Sequence, residues 1–267
     1  MALERVLVIP KSEFDSRNPF TGFAPIGPER LDLGEYLQGA PEKLASFISK
    51  DLAEQDESHL QIIPYITLMC NEALFTYRRG PSGGEDRLHH QLSIGIGGHI
   101  NDQDDPDEPF FAFLEGTRRE LREEVGLDLP HEAFKERVVG LLFDDSNAVG
   151  RVHLGVSIII ALDEEMAKTA LNRAAIELHE PRFVPIKDFK GPGLSSELET
   201  WSQFVINHIL GETGESTKAN DWGFRERAGM GQRLADPHPI PLPLRGRGDS
   251  IVPGERSSPL SHEVGEG

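Results

Sequence analysis

The chain has 267 residues, 37% of them hydrophobic, a formal net charge of −18 and one cysteine, Cys70. That length supports one good core. The acidic balance argues against a sequence-independent binder of nucleic-acid polymers, which needs a basic footprint, and a lone cysteine excludes an internal disulfide framework and a CxxC metal site. The N-terminal MALERVLVIPKSEF has no long apolar run of the signal-peptide kind, and no stretch approaches the ~18 apolar residues of a membrane span. No membrane contact and a cytoplasmic protein are therefore expected.

In chain order, RVLVIP is a short apolar run closed by Pro10 and reads as a strand, and residues 11–30, rich in Pro, Gly and Asn, read as loop. GAPEKLASFISKDLAEQ places Leu44, Phe47, Ile48 and Leu52 at helical spacing. LQIIPYITLMCN and EALFTYRRG read as paired strands turning at Asn71, with Pro64 marking an edge or a bulge. PSGGED is a loop, and HQLSIGIGG alternates before ending in glycines. A helix is predicted from about Pro109 to Val125, stopped by Gly126. RVVGLLFDD and GRVHLGVSIIIAL are two further strands, EPRFVPIKDF is a short one, and SSELETWSQFVINHIL is a terminal helix with Gly211 as its stop. Beyond about Gly214 the chain is crowded with Pro, Gly and Ser and has no apolar period. It cannot offset its ordering entropy, and a disordered tail over 214–267 is expected.

The predicted helix at 109–125 carries the chemistry. Phe110, Leu114, Thr117, Leu121 and Val125 share one stripe, which should face a core. Glu120, Glu123 and Glu124 lie together along its flank with Gly116, while Glu115 points elsewhere. Like charges at i,i+3 and i,i+4 destabilise an exposed helix by about 0.2–0.5 kcal/mol per pair. Two half-buried carboxylates ~4 Å apart repel by about 4 kcal/mol at an effective dielectric of ~20. The helix C-terminus also disfavours anions. Local stability does not account for the cluster; a bound divalent cation would, and hard oxygen ligands suit Mg²⁺ or Mn²⁺. A solvated acidic face balanced by Arg118, Arg119 and Arg122 is the bland alternative.

RELREEVGL, with Gly97-Gly98 upstream, resembles the Nudix box: G, five residues, E, seven residues, then R-E-U-x-E-E-x-G-U with U a bulky aliphatic. Arg119, Glu120, Leu121, Glu123, Glu124, Gly126 and Leu127 match. The resemblance covers roughly residues 60–210, and SIGIGGHIN with its spacer is most similar to a bacterial branch described as phosphoesterases. Arg119 lies 21 positions after Gly98, where the family has 14, so seven residues are extra. Counted forward from Gly98, the first box glutamate falls on Asp104; counted back from Arg119, it falls on Phe111.

The resemblance implies an α/β/α sandwich with a mixed sheet, formed by residues 60–213, with residues 1–59 as an extension packed on that core. It implies hydrolysis of a phosphoanhydride in a small phosphorylated metabolite or nucleotide. Gly98 (through its carbonyl), Glu120, Glu123 and Glu124 become metal ligands, with Glu123 and Glu124 also catalytic, and Arg119 orients a glutamate. The general base varies in the family, so either a box glutamate or a later loop carboxylate is expected, and Glu180 is the loop candidate. Arg78 and Arg79 end a strand entering the site and are candidate phosphate ligands; His99, after the glycine turn, is a candidate substrate contact. Arg151 and His153 lie on an alternating strand, His89-His90 reads as surface, and Cys70 as a small buried hydrophobe. Homodimers are common in the family. Three rivals remain: a non-hydrolytic nucleotide-binding module, an isomerase, which would need Cys70 in the site, and a merely acidic globular protein.

Overall fold

RVLVIP forms β1 (Arg5–Pro10) in a computed structural model that describes residues 4–16, 19–26, 45–80, 91–135, 137–191 and 193–212. Leu7 and Ile9 point to one side of β1 and Val6 and Val8 to the other, and all four are buried. The next segment is more structured than its composition suggests. Phe14, on the short helix α1 (Lys11–Ser16), packs against Phe20 and Phe143, and β2 (Gly22–Pro25) pairs with a later strand. Aromatic burial outweighs the loop-like composition there. Of the helix expected across residues 39–55, the described part, 45–55, is also overturned. Ser46–Ser49 is a strand, β3, antiparallel to β1, and only Lys50–Ala53 (α2) is helical. Spacing of three and four residues was a weak guide once β1 offered an edge to pair with. Leu44, the 81–90 segment with its histidine pair, and the expected tail lie outside the described residues.

β4 (His59–Cys70) and β5 (Ala73–Arg79) form the expected hairpin, with Asn71 and Glu72 both at positive φ, 48° and 59°. That geometry gives the turn the twist that antiparallel strands need. β6 (Leu92–Ser93) pairs with β5, and β7 (Gly95–Ile96) with β4. The long helix α3 spans Pro109–Val125, followed by the single turn α4 (Glu132–Lys135) and β8 (Val138–Phe143). β9 (His153–Ala161) then runs parallel to β4, and β10 (Leu178–Pro185) antiparallel to β5. Between them lies α5 (Glu164–Arg173), which the apolar pattern did not reveal. Its buried positions are the small Ala167 and Ala170, and its start is fixed by Asp163, which accepts a hydrogen bond from the Met166 N–H at 2.8 Å.

The main path of the sheet is β10-β5-β4-β9-β8-β2, with β1 on β4 and β3 on β1. β4 is thus central, not an edge. Pro64 sits where β4's second flank is bare, between its pairing to β1, which ends at Gln61, and to β7, which begins at Ile66. Side chains alternate along β4. Leu60, Ile62, Ile66 and Leu68 meet Phe113, Leu114, Leu121 and Val125 of α3 on one face. Tyr65 and Met69 meet the terminal helix α6 (Thr200–Glu212) on the other, through Val205, Ile206 and Ile209. The result is an α/β/α sandwich with a mixed sheet. The strands of the first 53 residues belong to the same sheet. α6 begins later than expected because the buried carboxylate of Glu199 accepts the backbone N–H groups of Trp201 and Ser202, at 3.0 and 3.1 Å. Gly211 lies inside the helix rather than ending it. Among the described residues no helix is long and apolar enough to cross a membrane.

α3 ends at Gly126, whose φ of 69° is left-handed and whose missing Cβ leaves room for the Arg173 side chain of α5. Gly126→Ala should cost about 1–2 kcal/mol from the backbone alone. Gly211→Ala, in a helix where no described residue lies within 4 Å of the added Cβ, should instead stabilise by about 0.5 kcal/mol. Urea midpoints of the two variants should therefore move in opposite directions.

Candidate active site

The buried stripe of α3 runs through Leu114, Thr117, Leu121 and Val125, so the flank with the three glutamates is turned toward the loop that follows β7. Gly98 of that loop lies against Glu120: a Cβ there would stand 2.6 Å from the Glu120 carboxylate. Gly116 makes a second close approach, since its Cβ would meet Ile100 at 2.5 Å and Asp104 at 2.7 Å. Two glycines thus let loop and helix touch along this flank.

Arg119 binds the two together. Its Nε and Nη2 donate to the two oxygens of Asp104 at 2.8 and 3.0 Å, and Nη2 also donates to the His99 carbonyl at 2.8 Å. Nη1 donates to Glu120 Oε1 at 2.6 Å and reaches Glu123 Oε2 at 3.4 Å. The Asp104 side chain is only 4% exposed and also accepts the Asn101 N–H at 3.0 Å. Of the two positions at which the first box glutamate could fall, Asp104, six residues after Gly98, is the one that contacts Arg119. Phe111 is exposed beside Lys135. The seven extra residues fall between Asp104 and Arg119, in segment 105–108 and the first turns of α3.

The three glutamates differ in environment. Glu123 is largely exposed, its side chain at 58%. Glu120 is partly buried; desolvation pushes its pKa up, and the Arg119 guanidinium opposes that. Glu124 is pushed up to about 7, first by burial, then by the charges of Glu120 and Glu177. Its Oε2 is buried and has no hydrogen-bond partner. Among the described residues, no group of three or more His, Cys, Asp or Glu side chains forms a ready-made metal cage. What the cluster offers is an open carboxylate site with one orphaned buried oxygen. That donor set fits a small hard cation that keeps most of its waters.

The other candidates are dispersed. Glu180 is 67% exposed, at φ 52°, and shared by Arg78 and Arg182 at 3.5 Å each. Arg78 is also bonded to Glu197. Alternation along β5 explains this: Phe75 and Tyr77 face α3, so Arg79 follows them and Arg78 faces away. Arg79 is accordingly the strand-end arginine whose charge acts on Glu124. Alternation also turns the His99 ring away from the glutamates, between Gly98 and Ile100, which both face α3; only its carbonyl reaches the cluster, through Arg119. The ring packs beside His153, and burial lowers the pKa of both, that of His99 to about 3. Cys70 closes the β4–β5 hairpin, its thiol pushed up by burial and by the charges of Glu164 and Asp163.

No motif in the sequence marks Glu177. The loop between α5 and β10 brings it in: the Ala175 N–H donates to the Glu124 carbonyl at 2.7 Å, and the Gly80 N–H to the Glu177 carbonyl at 3.1 Å. Recognising α5 from its Asp-Glu-Glu start would have exposed that loop.

No model of a known protein family matches the chain. Protein YmaB of Bacillus subtilis strain 168 is 31% identical over 215 residues, spanning 76% of this chain and 96% of YmaB. The crystal structure of Tm1382, named as a candidate Nudix hydrolase, superposes with a TM-score of 0.60 at 27% identity, covering 78% of this chain and 99% of that one.

Removing Asp104 takes two charge-assisted hydrogen bonds from the half-buried Arg119, which keeps Glu120 and the His99 carbonyl, so Asp104→Ala should lower stability by about 2 kcal/mol. Arg122→Ala, at an exposed position of the same helix, should change it by less than about 0.5 kcal/mol; denaturant unfolding of both checks this. Glu124 makes a second prediction. With a folded pKa near 7 against an unfolded value near 4.5, its contribution is neutral below pH 4.5. It turns destabilising as pH rises from 4.5 to 7 and is constant above. In EDTA, Glu124→Gln should therefore melt above the wild type at pH 8 and level with it at pH 4.5.

Proposed function

This chain belongs to the Nudix hydrolases, and from that premise we propose that it cleaves phosphoanhydride bonds in small nucleoside diphosphate-linked or related metabolites, with Mg²⁺ or Mn²⁺ held by Glu120, Glu123, Glu124 and the Gly98 carbonyl. The observation that supports this most is the buried, unpartnered Oε2 of Glu124 beside Glu120. A group left so is costly unless something fills its coordination. The bound ion would polarise phosphoryl oxygens and lower the pKa of an attacking water.

The chain's own residues do the rest. Arg119 fixes Glu120 against Gly98 and is a positioning residue. Arg79 brings positive charge beside Glu124, where a substrate phosphate would lie. A carboxylate must take the proton of the attacking water. Glu177, on the loop tied to the end of α3, is better placed for this than Glu180, which Arg78 and Arg182 hold elsewhere.

Phosphate release from a panel of nucleoside diphosphate-linked compounds, with Mg²⁺, Mn²⁺ or EDTA, tests the reading. Turnover should require the metal and fall by about 100-fold or more in Glu124→Gln. Glu177→Gln should lower it too, and Glu180→Gln should leave it near wild type. Nucleotide binding without turnover on every compound would make the chain a binding module instead.

A further inference from the structure

The sheet face turned away from the glutamate helix carries a second polar cluster. Gln61 of β4 is fully buried, and neither its Oε1 nor its Nε2 has a hydrogen-bond partner. Its register partner on the parallel strand β9 is His153, so the two side chains leave the sheet on the same face. His153 Nδ1 lies 2.8 Å from the Val149 carbonyl oxygen. A carbonyl only accepts, so Nδ1 carries the hydrogen and Nε2 presents its lone pair. The ring of His99 stands 5.9 Å from that of His153, centroid to centroid, and its Nε2 is buried without a partner.

We propose that His99, His153 and the Gln61 side-chain oxygen form a binding site for a late first-row divalent ion of the zinc type, separate from the glutamate cluster. A histidine whose second nitrogen is tied to a backbone carbonyl is set up as a ligand, because the carbonyl fixes both tautomer and ring orientation. Imidazole nitrogens select zinc-class ions, whereas Mg²⁺ prefers oxygen. Two nitrogens and one amide oxygen leave a further position for water. Two charges oppose occupancy: Lys50, which acts on both imidazoles but is ion-paired to Glu4 at 3.1 Å, and Arg119, which acts on His99 but is engaged by Asp104 and Glu120.

The test is a Co²⁺ titration of the full chain with excess Mg²⁺ present, read by visible absorption and by bound equivalents, followed by Zn²⁺ competition. The wild type should bind one equivalent that Zn²⁺ displaces. The signal should be lost in His99→Ala and His153→Ala, retained in Glu124→Gln, and strengthened in Lys50→Gln. Circular dichroism checks that the histidine variants fold, and anomalous scattering from zinc-soaked wild-type crystals locates the ion without any variant. No Co²⁺ signal in the wild type would overturn the proposal and leave a cluster satisfied by water. A signal kept by both folded histidine variants but lost in Glu124→Gln, or an anomalous peak elsewhere, would overturn it as well.

Discussion

The guanidinium of Arg119 is the joint on which the site depends. Its donors meet Asp104, Glu120, Glu123 and the His99 carbonyl, and so tie a glycine-rich loop to a helix it would otherwise only touch. A lysine could not do this, because the task needs several donors in a fixed plane rather than one mobile charge. The ion pairs also reduce the repulsion that the glutamates impose on α3. Glu120 and Glu123 each share in the cation, whereas Glu124 shares in none of its hydrogen bonds. The compensation by Arg119 is incomplete: the carboxylate outside its reach is also the one with a buried, orphaned oxygen.

Where the sequence was legible, a single period dominated. Residues 109–125 follow one helical stripe from Phe110 to Val125, and Gly126 ends it in the left-handed conformation. The β4–β5 hairpin was legible because Asn71 stands between two long apolar runs. Elsewhere two patterns fit the same residues or the pattern is faint. Phe47 and Ile48 fit a helix as well as a strand, and the free flank of β1 decided between them. α5 hid because alanines bury little area and leave little contrast between its faces. α5 matters at the site because it determines which glutamate the following loop delivers: Glu177 lies in the turn before β10, and Glu180 is the third residue of β10.

Side-chain direction was the harder quantity to read. Adjacent residues in extended chain point to opposite faces, so naming Arg78 and Arg79 together could never say which one meets the glutamates. Tyr77 settles it, because its burial against the core on the α3 side fixes the parity of the whole strand. The same parity governs the box loop. Gly98 and Ile100 face α3, the first leaving space for Glu120 and the second filling the space above Gly116. His99 must then face the other way.

The loop after β7 therefore serves both faces of the sheet with consecutive residues. Its path is set by main-chain bonds to β1, where the Leu7 N–H donates to the Ile100 carbonyl at 2.8 Å, and by Gly97, whose Cβ would strike the Pro64 carbonyl. These contacts lie along the bare flank of β4. The proline that marks the flank and the glycine that crosses it are two parts of one arrangement. A residue with an N–H but no partner at position 64, or a side chain at 97, would push the loop outward and carry Gly98 away from Glu120. The early strand β1 thus holds the loop against the sheet from outside the box, as Arg119 holds it from within, and the distance between Gly98 and the glutamates follows from both.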